Sequence, residues 1–373
     1  MKIPLGKPVF DEEMEKAALD ALRNERFVLG ESVPKFEEEF AKYCGTDFAV
    51  STSSGTDALK IAMVAAGINS GQTVVTSPAS FIASANAIIH THGVPVFSDI
   101  NLETNTIDPL KLEKTITAKT KAVIPVHLYG FPAEMDSIND LAKKHNLIVI
   151  EDSCQAHGAL YHGKRTGSLG LVGCFSFYPS KNMTVGGDGG MITTNDEKIA
   201  AATAKLRDCG RRSQYVHDVV GFTSRLNSVN AAIGRVQLRR LDAWNDSRRK
   251  AAQTYNSSLE GVGDLVLPPK GSAEVEPVYH LYVVRTKHRD ELKSWLESQG
   301  IGCGIHYVLP IHLQPVYREM FGYRDGAYPN AEELCKTCLS IPIFPDIAKD
   351  EILYICQNVH KFFKSCESQD SNC

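Results

Sequence analysis

The chain has no excess of charge of either sign. It carries 40 lysines and arginines against 44 aspartates and glutamates over 373 residues, a formal net charge of −4. Nucleic-acid and anionic-membrane partners require a basic surface, and this balance gives no support to either. We therefore expect neither nucleic acid nor a membrane among the partners of this protein.

Long hydrophobic runs are also lacking. No apolar stretch approaches the length of about 20 residues that spans a membrane as a helix. Residues 1–8 lack the apolar core of a signal peptide. From these two absences we expect a cytoplasmic protein.

Cysteine, by contrast, is abundant for that compartment. Ten are present, and several, such as Cys174 and Cys356, lie in apolar runs where a thiol behaves as a small hydrophobe. Cys335 and Cys338 form a CxxC pair, which could serve redox or metal chemistry. A metal site needs a second pair at suitable spacing, and none is obvious. The sequence therefore favours accidental spacing and predicts no metal.

Seven short apolar runs occur, and most of them are apolar throughout rather than alternating, which is typical of strands buried on both faces of a mainly parallel sheet. They cover residues 48–50, 73–76, 94–97, 122–126, 147–150, 174–177 and 190–193. Periodic apolar positions predict helices between and after them. These helices cover residues 11–24, 33–43, 57–66, 135–145, 227–259, 290–299 and 350–364, and residues 278–285 alternate like one further strand.

This pattern predicts an α/β protein with two domains. We expect a large domain over residues 1–245 and a smaller C-terminal domain over residues 246–373, with the helix at 227–259 bridging them. The polar tail at 365–373 is expected to be frayed.

Two residues suggest chemistry. Asp152 ends an apolar strand, the position where ligands bind in open α/β sheets, although a strand-terminal aspartate can equally cap the next segment. Lys181 lies between aromatic residues and the glycines of 186–190, where desolvation would lower its pKa and free the amine for attack. A surface lysine is the alternative. An aspartate beside a pyridine nitrogen and a lysine that forms a Schiff base are what pyridoxal phosphate needs.

Other segments could complete such a site. Ser54, Gly55 and Thr56 follow a strand and open a helix, whose free amides would bind a phosphate, unless they are only an ordinary helix cap. Phe81 follows another strand and could stack on a ring, although a core role is the commoner use of a phenylalanine. Gln155 could donate a hydrogen bond to a ring hydroxyl.

Five segments in order along nearly the whole chain resemble the DegT family of sugar aminotransferases, which are pyridoxal phosphate enzymes of fold type I. They are Ser-Gly-Thr-Asp-Ala-Leu at 54–59, Val-His-Leu-Tyr-Gly at 126–130, Glu-Asp-Ser-Cys-Gln-Ala-His-Gly at 151–158, Phe-Ser-Phe-Tyr-Pro-Ser-Lys-Asn at 175–182 and Gly-Ile-His-Tyr at 304–307. The resemblance implies a mainly parallel seven-stranded sheet in the large domain and an α+β arrangement in the small one.

The resemblance also implies roles for residues. Lys181 and Asp152 would be catalytic, Lys181 as the carrier of the internal aldimine and Asp152 as the partner of the pyridine nitrogen. Cofactor binding would involve Ser54, Gly55, Thr56, Phe81, Asp152, Gln155, Ser176, Lys181 and Thr223. Substrate binding would involve Arg26, Arg225, His306 and Tyr307.

The family forms homodimers whose active sites take residues from both subunits, and the partner loop is expected at residues 221–227. The family usually has asparagine where this chain has Thr223, a shorter donor to phosphate. Family members mostly have a small apolar residue where this chain has Cys154.

The activity implied is ping-pong transamination through a Lys181 aldimine, from glutamate to a nucleotide-linked keto-sugar. A related alternative is a cyclitol (inosose) aminotransferase that uses glutamine. An alternative of another class is a non-catalytic regulatory protein that retains the fold. Sugar dehydratases related to the family carry histidine in place of the lysine, and Lys181 argues against that branch.

Overall fold

The computed structural model describes the backbone of residues 1–370 and the side chains of residues 1–366. The helices are α1 (Glu12–Asn24), α2 (Ser32–Cys44), α3 (Gly55–Ala65), α4 (Ala83–His90), α5 (Pro109–Thr115), α6 (Met135–His145), α7 (Glu197–Arg207), α8 (Ser228–Leu259), α9 (Arg289–Ser298), α10 (Pro315–Phe321), α11 (Pro329–Thr337) and α12 (Lys349–Asp370). No helix within these residues has the length and apolar character needed to cross a membrane.

Most strands are short, and seven of them form the central sheet. The strands are β1 (Phe48–Thr52), β2 (Thr73–Thr76), β3 (Val94–Phe97), β4 (Thr120–Ile124), β5 (Ile148–Asp152), β6 (Leu160–Tyr161), β7 (Lys164–Arg165), β8 (Val172–Ser176), β9 (Gly190–Thr194), β10 (Arg211–Ser213), β11 (Val216–His217), β12 (Val275–Glu276), β13 (Tyr282–Arg285) and β14 (Cys338–Ile341).

The central sheet confirms the predicted fold class. Its order is β1-β9-β8-β5-β4-β2-β3, and its strands coincide with the seven apolar runs. Every pair from β3 across to β8 is parallel, whereas β9 runs antiparallel to both of its neighbours. The carboxyl ends of the parallel strands therefore meet along one edge, where open α/β sheets bind ligands.

Helices cover both faces of this sheet. Consecutive strand residues point to opposite faces, so Cys174 packs into one apolar core with Leu59 of α3 and Leu206 of α7. Its neighbour Phe175 packs into a second core with Phe40 of α2. Because both faces are buried, apolar residues occupy consecutive rather than alternate positions in most of these strands, as the sequence indicated.

The long helix α8 connects two apolar cores. Asn227 caps its first turn by accepting a hydrogen bond from the Asn230 amide at 2.8 Å. Leu241 packs with the aromatic core beneath the sheet, whereas Tyr255 and Leu259 pack in a separate core with α9, α12, β13 and β14. A domain boundary between residues 245 and 246 is compatible with this division and stays a prediction.

Two predicted elements differ from the structure at their ends. Only residues 282–285 of the predicted strand at 278–285 pair, as β13 with β14. Tyr279 adopts a left-handed φ of 43°, and the Val278 amide donates to the Gly130 carbonyl at 3.0 Å, which turns the chain away from a sheet. The last helix continues past residue 364 to Asp370, and residues 371–373 of the expected frayed tail lie outside the described residues.

Candidate active site

A cavity of about 800 Å³ opens beside the carboxyl ends of β5 and β8, near the upper limit of the volumes that ligand pockets usually have. Ten of the thirteen residues to which the sequence assigned a site role line it. They are Ser54, Gly55, Thr56, Phe81, Asp152, Gln155, Ser176, Lys181, His306 and Tyr307.

Asp152 is the last residue of β5 and is buried at 5% exposure. Its Oδ2 accepts a hydrogen bond from the Ser84 hydroxyl at 2.7 Å, and its Oδ1 accepts one from the Cys154 amide at 3.2 Å. Ser80 pairs with Ser84 at 2.8 Å. Because both oxygens are held, the carboxylate has a fixed orientation at the cavity wall.

Lys181 lies in the loop after β8 and reaches the same cavity. Burial lowers the pKa of its amine, and the nearby Cys154 and Asp152 oppose that shift. The next residue, Asn182, is buried and donates to Asn245 Oδ1 at 2.8 Å and to the Val278 carbonyl at 3.0 Å. These bonds anchor the loop, so the amine is presented from a rigid position.

The first turn of α3 forms a tight cradle at the cavity. Ser54 caps the helix by accepting a hydrogen bond from the Asp57 amide at 3.1 Å, while the Gly55 and Thr56 amides have no hydrogen-bond partner among the described residues. A Cβ added to Gly55 would lie 2.6 Å from the Ser176 Cβ. Backbone amides at a helix start attract anions, and the absence of a side chain leaves them accessible.

Gln155 is buried with a defined orientation. Its Oε1 accepts a hydrogen bond from the Tyr129 amide at 2.9 Å, and its Nε2 donates to Tyr307 Oη at 3.4 Å. The amide nitrogen has two N–H groups, so one remains to donate towards a ligand. The centroids of the Phe81 and Tyr307 rings are 6.0 Å apart. Phe81 is half exposed and lines the cavity.

Comparison with known proteins identifies the chain. Residues 8–360 match the sequence profile of the DegT/DnrJ/EryC1/StrS aminotransferase family. The chain belongs to this family. It is a pyridoxal-phosphate-dependent aminotransferase, as the resemblance implied.

Individual relatives cover the chain almost end to end. A Streptomyces venezuelae dTDP-3-amino-3,4,6-trideoxy-alpha-D-glucose transaminase is 41% identical over 94% of this chain and 92% of its own. A Geobacillus stearothermophilus protein named pleiotropic regulatory protein is 42% identical over 94% and 95%. The crystal structure of S. venezuelae DesV in complex with a ketimine intermediate is 39% identical with a TM-score of 0.93, over 97% and 98%.

The cavity of this DegT-family chain fits pyridoxal phosphate. The accessible amides of α3 suit its phosphate, since Gly55 leaves no side chain in the way. The Asp152 carboxylate suits a protonated pyridine nitrogen, and the Gln155 amide suits the ring hydroxyl. Lys181 is an amine with a lowered pKa on the same cavity. We treat these assignments as part of the proposed function.

Three predicted residues lie outside the cavity. Thr223 is exposed, and its hydroxyl is 3.3 Å from Cys209 Sγ. Arg225 pairs with Asp208 at 2.7 Å. Arg26 is exposed and donates to the Leu29 carbonyl at 3.0 Å. The structure does not bring these three to the other ten.

Other cavity residues escaped the sequence reasoning. Arg248, His280 and Lys7 line it, although none lies in a segment that suggested chemistry. His280 had a weak signal, since it interrupts an apolar alternating run. Arg248 had none, because it is one of several arginines on a long polar helix.

The CxxC cysteines lie outside the cavity lining. Cys335 and Cys338 are buried free thiols, and burial raises the pKa of both. No group of three or more potential metal ligands occurs in the described part of the chain.

Proposed function

We propose that this chain transfers an amino group from glutamate to a nucleotide-linked keto-sugar in two half-reactions, using Lys181 and Asp152. The observation that carries the proposal is that a lysine with a lowered pKa and an oriented, buried aspartate line one cavity together with an anion cradle. The named activity of the Streptomyces relative, a dTDP-sugar transaminase, supports the class of acceptor.

Bound pyridoxal phosphate supplies an electron sink for the substrate carbon that loses or gains a proton. Lys181 would act as the nucleophile that holds the cofactor and as the base that moves this proton. Its lowered pKa increases the fraction of neutral amine near neutral pH, and a base works best with a pKa close to the working pH. The fixed Asp152 carboxylate would keep the positive charge of the ring nitrogen in place.

His306 and Tyr307 would bind the sugar from the opposite side of the cavity. Burial and the neighbouring Lys181 lower the pKa of His306, so its imidazole is neutral near pH 7 and can hydrogen-bond to hydroxyl groups. Its Nδ1 is paired with Ser340 Oγ at 2.8 Å, which leaves the other ring nitrogen for a ligand.

We further infer a homodimer with shared active sites. Thr223, Arg225 and Arg26 lie away from the cavity of their own subunit, so they could act only on the cavity of a second one. Exposed apolar side chains accompany them on the neighbouring segments, with Phe27 exposed by 65% and Val220 by 94%. Exposed apolar groups of this size favour burial against a partner.

Subunit mixing would test the sharing. A Lys181→Ala chain and a Thr223→Asp chain should each be inactive alone, the second because an added carboxylate repels the cofactor phosphate. Mixed after unfolding and refolding together, they should regain activity, because some dimers then hold one site with both intact residues. Absence of regained activity in mixed dimers would show that each subunit completes its own site.

Covalent trapping tests the central role of Lys181. The wild-type protein loaded with pyridoxal phosphate should absorb visible light, and borohydride should fix the cofactor on Lys181, as mass spectrometry of the peptides would reveal. Lys181→Ala should abolish the adduct. Lys7→Ala is the matched control, since Lys7 lines the same cavity, and it should leave the adduct unchanged. A colourless wild-type protein without an adduct would overturn the proposal.

A regulatory role is the second candidate, because the Geobacillus relative carries a regulator's name. A protein that had lost catalysis would not need Lys181 and Asp152 on a common cavity, which favours the enzyme. Assays should compare glutamate and glutamine as donors and nucleotide-linked keto-sugars and inososes as acceptors. If only an inosose is aminated, with glutamine as the donor, the acceptor is a cyclitol and not a nucleotide-linked keto-sugar.

The proposal includes a cytoplasmic location and the two domains at residues 1–245 and 246–373. Buried free thiols such as Cys44, Cys174 and Cys335 suit a reducing compartment. Limited proteolysis near residue 245 and fractionation of cells would check the two expectations.

A further inference from the structure

Arg248 is a buried cation without an acidic partner. It is 5% exposed, and its Nη1 donates to three carbonyl oxygens, those of Tyr279 at 3.2 Å, His280 at 3.3 Å and Ile343 at 3.1 Å. Its Nε has no hydrogen-bond partner. Among the described residues, no carboxylate forms an ion pair with it.

The adjacent arginine shows the contrast. Arg249 pairs with Asp246 and with Glu276 and does not line the cavity. Arg248 lines it. Burial lowers the pKa of Arg248 to about 10, so the group is still charged near neutral pH. A buried charge is costly unless it is paired, and an anion that enters the cavity would supply the missing partner.

Contacts connect Arg248 to the reacting amine. The carbonyl of His280 accepts a hydrogen bond from Arg248, and the His280 ring Nδ1 lies 3.3 Å from Asn182 Oδ1. Asn182 directly follows Lys181. Since the Asn182 oxygen only accepts, His280 donates from Nδ1. His280 and Asn182 therefore connect the guanidinium to Lys181, the residue that would hold the cofactor.

We propose that Arg248 binds the α-carboxylate of the amino donor and thereby selects an α-amino acid in the first half-reaction. The inference rests on the proposed function and names a recognition residue within the same cavity. Nη1 is engaged by the three carbonyls and Nε is buried without a partner, so Nη2 is the nitrogen that can donate to a carboxylate. The α-carboxylate is the anion that lies one carbon from the reacting amine. A keto-sugar has no carboxylate on the reacting carbon, so the second half-reaction does not use this contact.

The test is the ratio of rates for an acid and its amide. The cofactor-loaded protein is mixed with L-glutamate or with its α-amide, isoglutamine, and the loss of visible absorbance gives kcat/KM for the first half-reaction. In the wild type the acid should be strongly preferred. In Arg248→Gln, which keeps donors for the carbonyls but loses the charge, the preference should fall about tenfold to a hundredfold. The second half-reaction with a keto-sugar should change by less than about threefold, since the keto-sugar makes no contact with this charge.

Controls separate this role from a structural one. Arg249→Gln should leave the acid-to-amide ratio unchanged. If Arg248→Gln fails to retain cofactor, Arg248→Lys replaces it in the test. This variant should lower the acid-to-amide ratio by less, because lysine keeps the charge but not the guanidinium group.

The outcomes distinguish two failures. If the wild type converts glutamate but either Arg248 variant keeps the wild-type ratio, or if the wild type accepts acid and amide equally, the inference is overturned and the proposed function stands. If the wild type converts no amino acid at all, the proposed function fails.

Discussion

The two walls of the cavity differ in how their polar groups are satisfied. The strand-end wall consists of Gly55, Asp152, Ser176 and Lys181, and the C-terminal wall consists of Arg248, His280, His306 and Tyr307. Both oxygens of Asp152 accept hydrogen bonds from protein groups. The atoms around Gly55 are packed so closely that a side chain at this position would have no space. In the C-terminal wall, by contrast, Arg248 is buried and forms no ion pair with any described carboxylate.

The difference indicates two kinds of ligand. Groups fixed by protein hydrogen bonds provide a rigid site for a ligand that stays through many reactions, because little order has to be gained on binding. The free amides of Gly55 and Thr56 belong to the same rigid cradle. The charge of Arg248, which has no acidic partner among the described residues, suits anionic ligands that enter and leave in each half-reaction. Changes in the strand-end wall should therefore affect the cofactor or its chemistry, and changes in the C-terminal wall should affect substrates.

The largest expected effect is that of Asp152→Asn. The amide keeps the shape of the side chain but loses the charge that would hold the ring nitrogen protonated, so kcat should fall by about a hundredfold to a thousandfold. Steady-state turnover measures it, and cofactor absorbance should show the site still filled. Asp188→Asn, the other acid on the cavity, should stay within about threefold of wild type. A similar loss in both variants would contradict the special role of Asp152.

Next in size is Gly55→Ala. The new Cβ would lie 2.6 Å from the Ser176 Cβ and 2.9 Å from Cys154 Sγ, and overpacking of this kind costs about 1–3 kcal/mol. Cofactor affinity, measured by absorbance titration, should drop by about tenfold to a hundredfold. The matched control is Gly187→Ala, where the nearest atom is 3.5 Å away, and its affinity should not change.

His306→Gln should have a smaller effect, confined to substrate. Loss of one neutral hydrogen bond should raise KM for the keto-sugar by about threefold to tenfold, while cofactor affinity stays as in wild type. His90→Gln, at an exposed helix end, is the control. Loss of cofactor from the His306 variant would remove the distinction between the two walls.

The smallest effect concerns stability and pH. Burial lowers the pKa of Lys181 in the folded protein below its ordinary value of 10.5. At pH values between the folded-state pKa and 10.5, the unfolded chain binds more protons than the folded one, so the free energy of unfolding of the wild type rises with pH. Cofactor-free Lys181→Met should therefore melt about 1–3 °C above wild type at pH 7. This gain should vanish towards pH 10.5, whereas Lys164→Met, at an exposed site, should show no such pH dependence.

Local patterns in the sequence predicted most of the fold. All seven central strands follow from continuous apolar runs, and α6 has the predicted bounds. The predicted strand at 278–285 was partly wrong because the alternation of Val278 to Leu281 reflects burial in an irregular segment. The left-handed conformation of Tyr279 depends on contacts with Gly130, about 150 residues earlier in the chain.

The cavity was predictable only in part. Asp152, Gly55 and Lys181 follow strands or open a helix, so chain-local cues pointed to them. Thr223, Arg225 and Arg26 carried family-derived roles, yet the fold places them away from the cavity. Arg248 could not be found from its sequence neighbours, because α8 carries several arginines and only their different partners distinguish them.

By itself, the sequence determined the strands of the sheet, several of its covering helices and the residue types that suit pyridoxal phosphate, because periodicity and turn chemistry act over a few residues. Only the tertiary structure decided which of those residues share a cavity and which charges lack partners. Burial and ion pairing depend on segments far apart in the chain, as when Arg248 contacts carbonyls at residues 279, 280 and 343. The desolvation of that guanidinium exists only after the chain has folded.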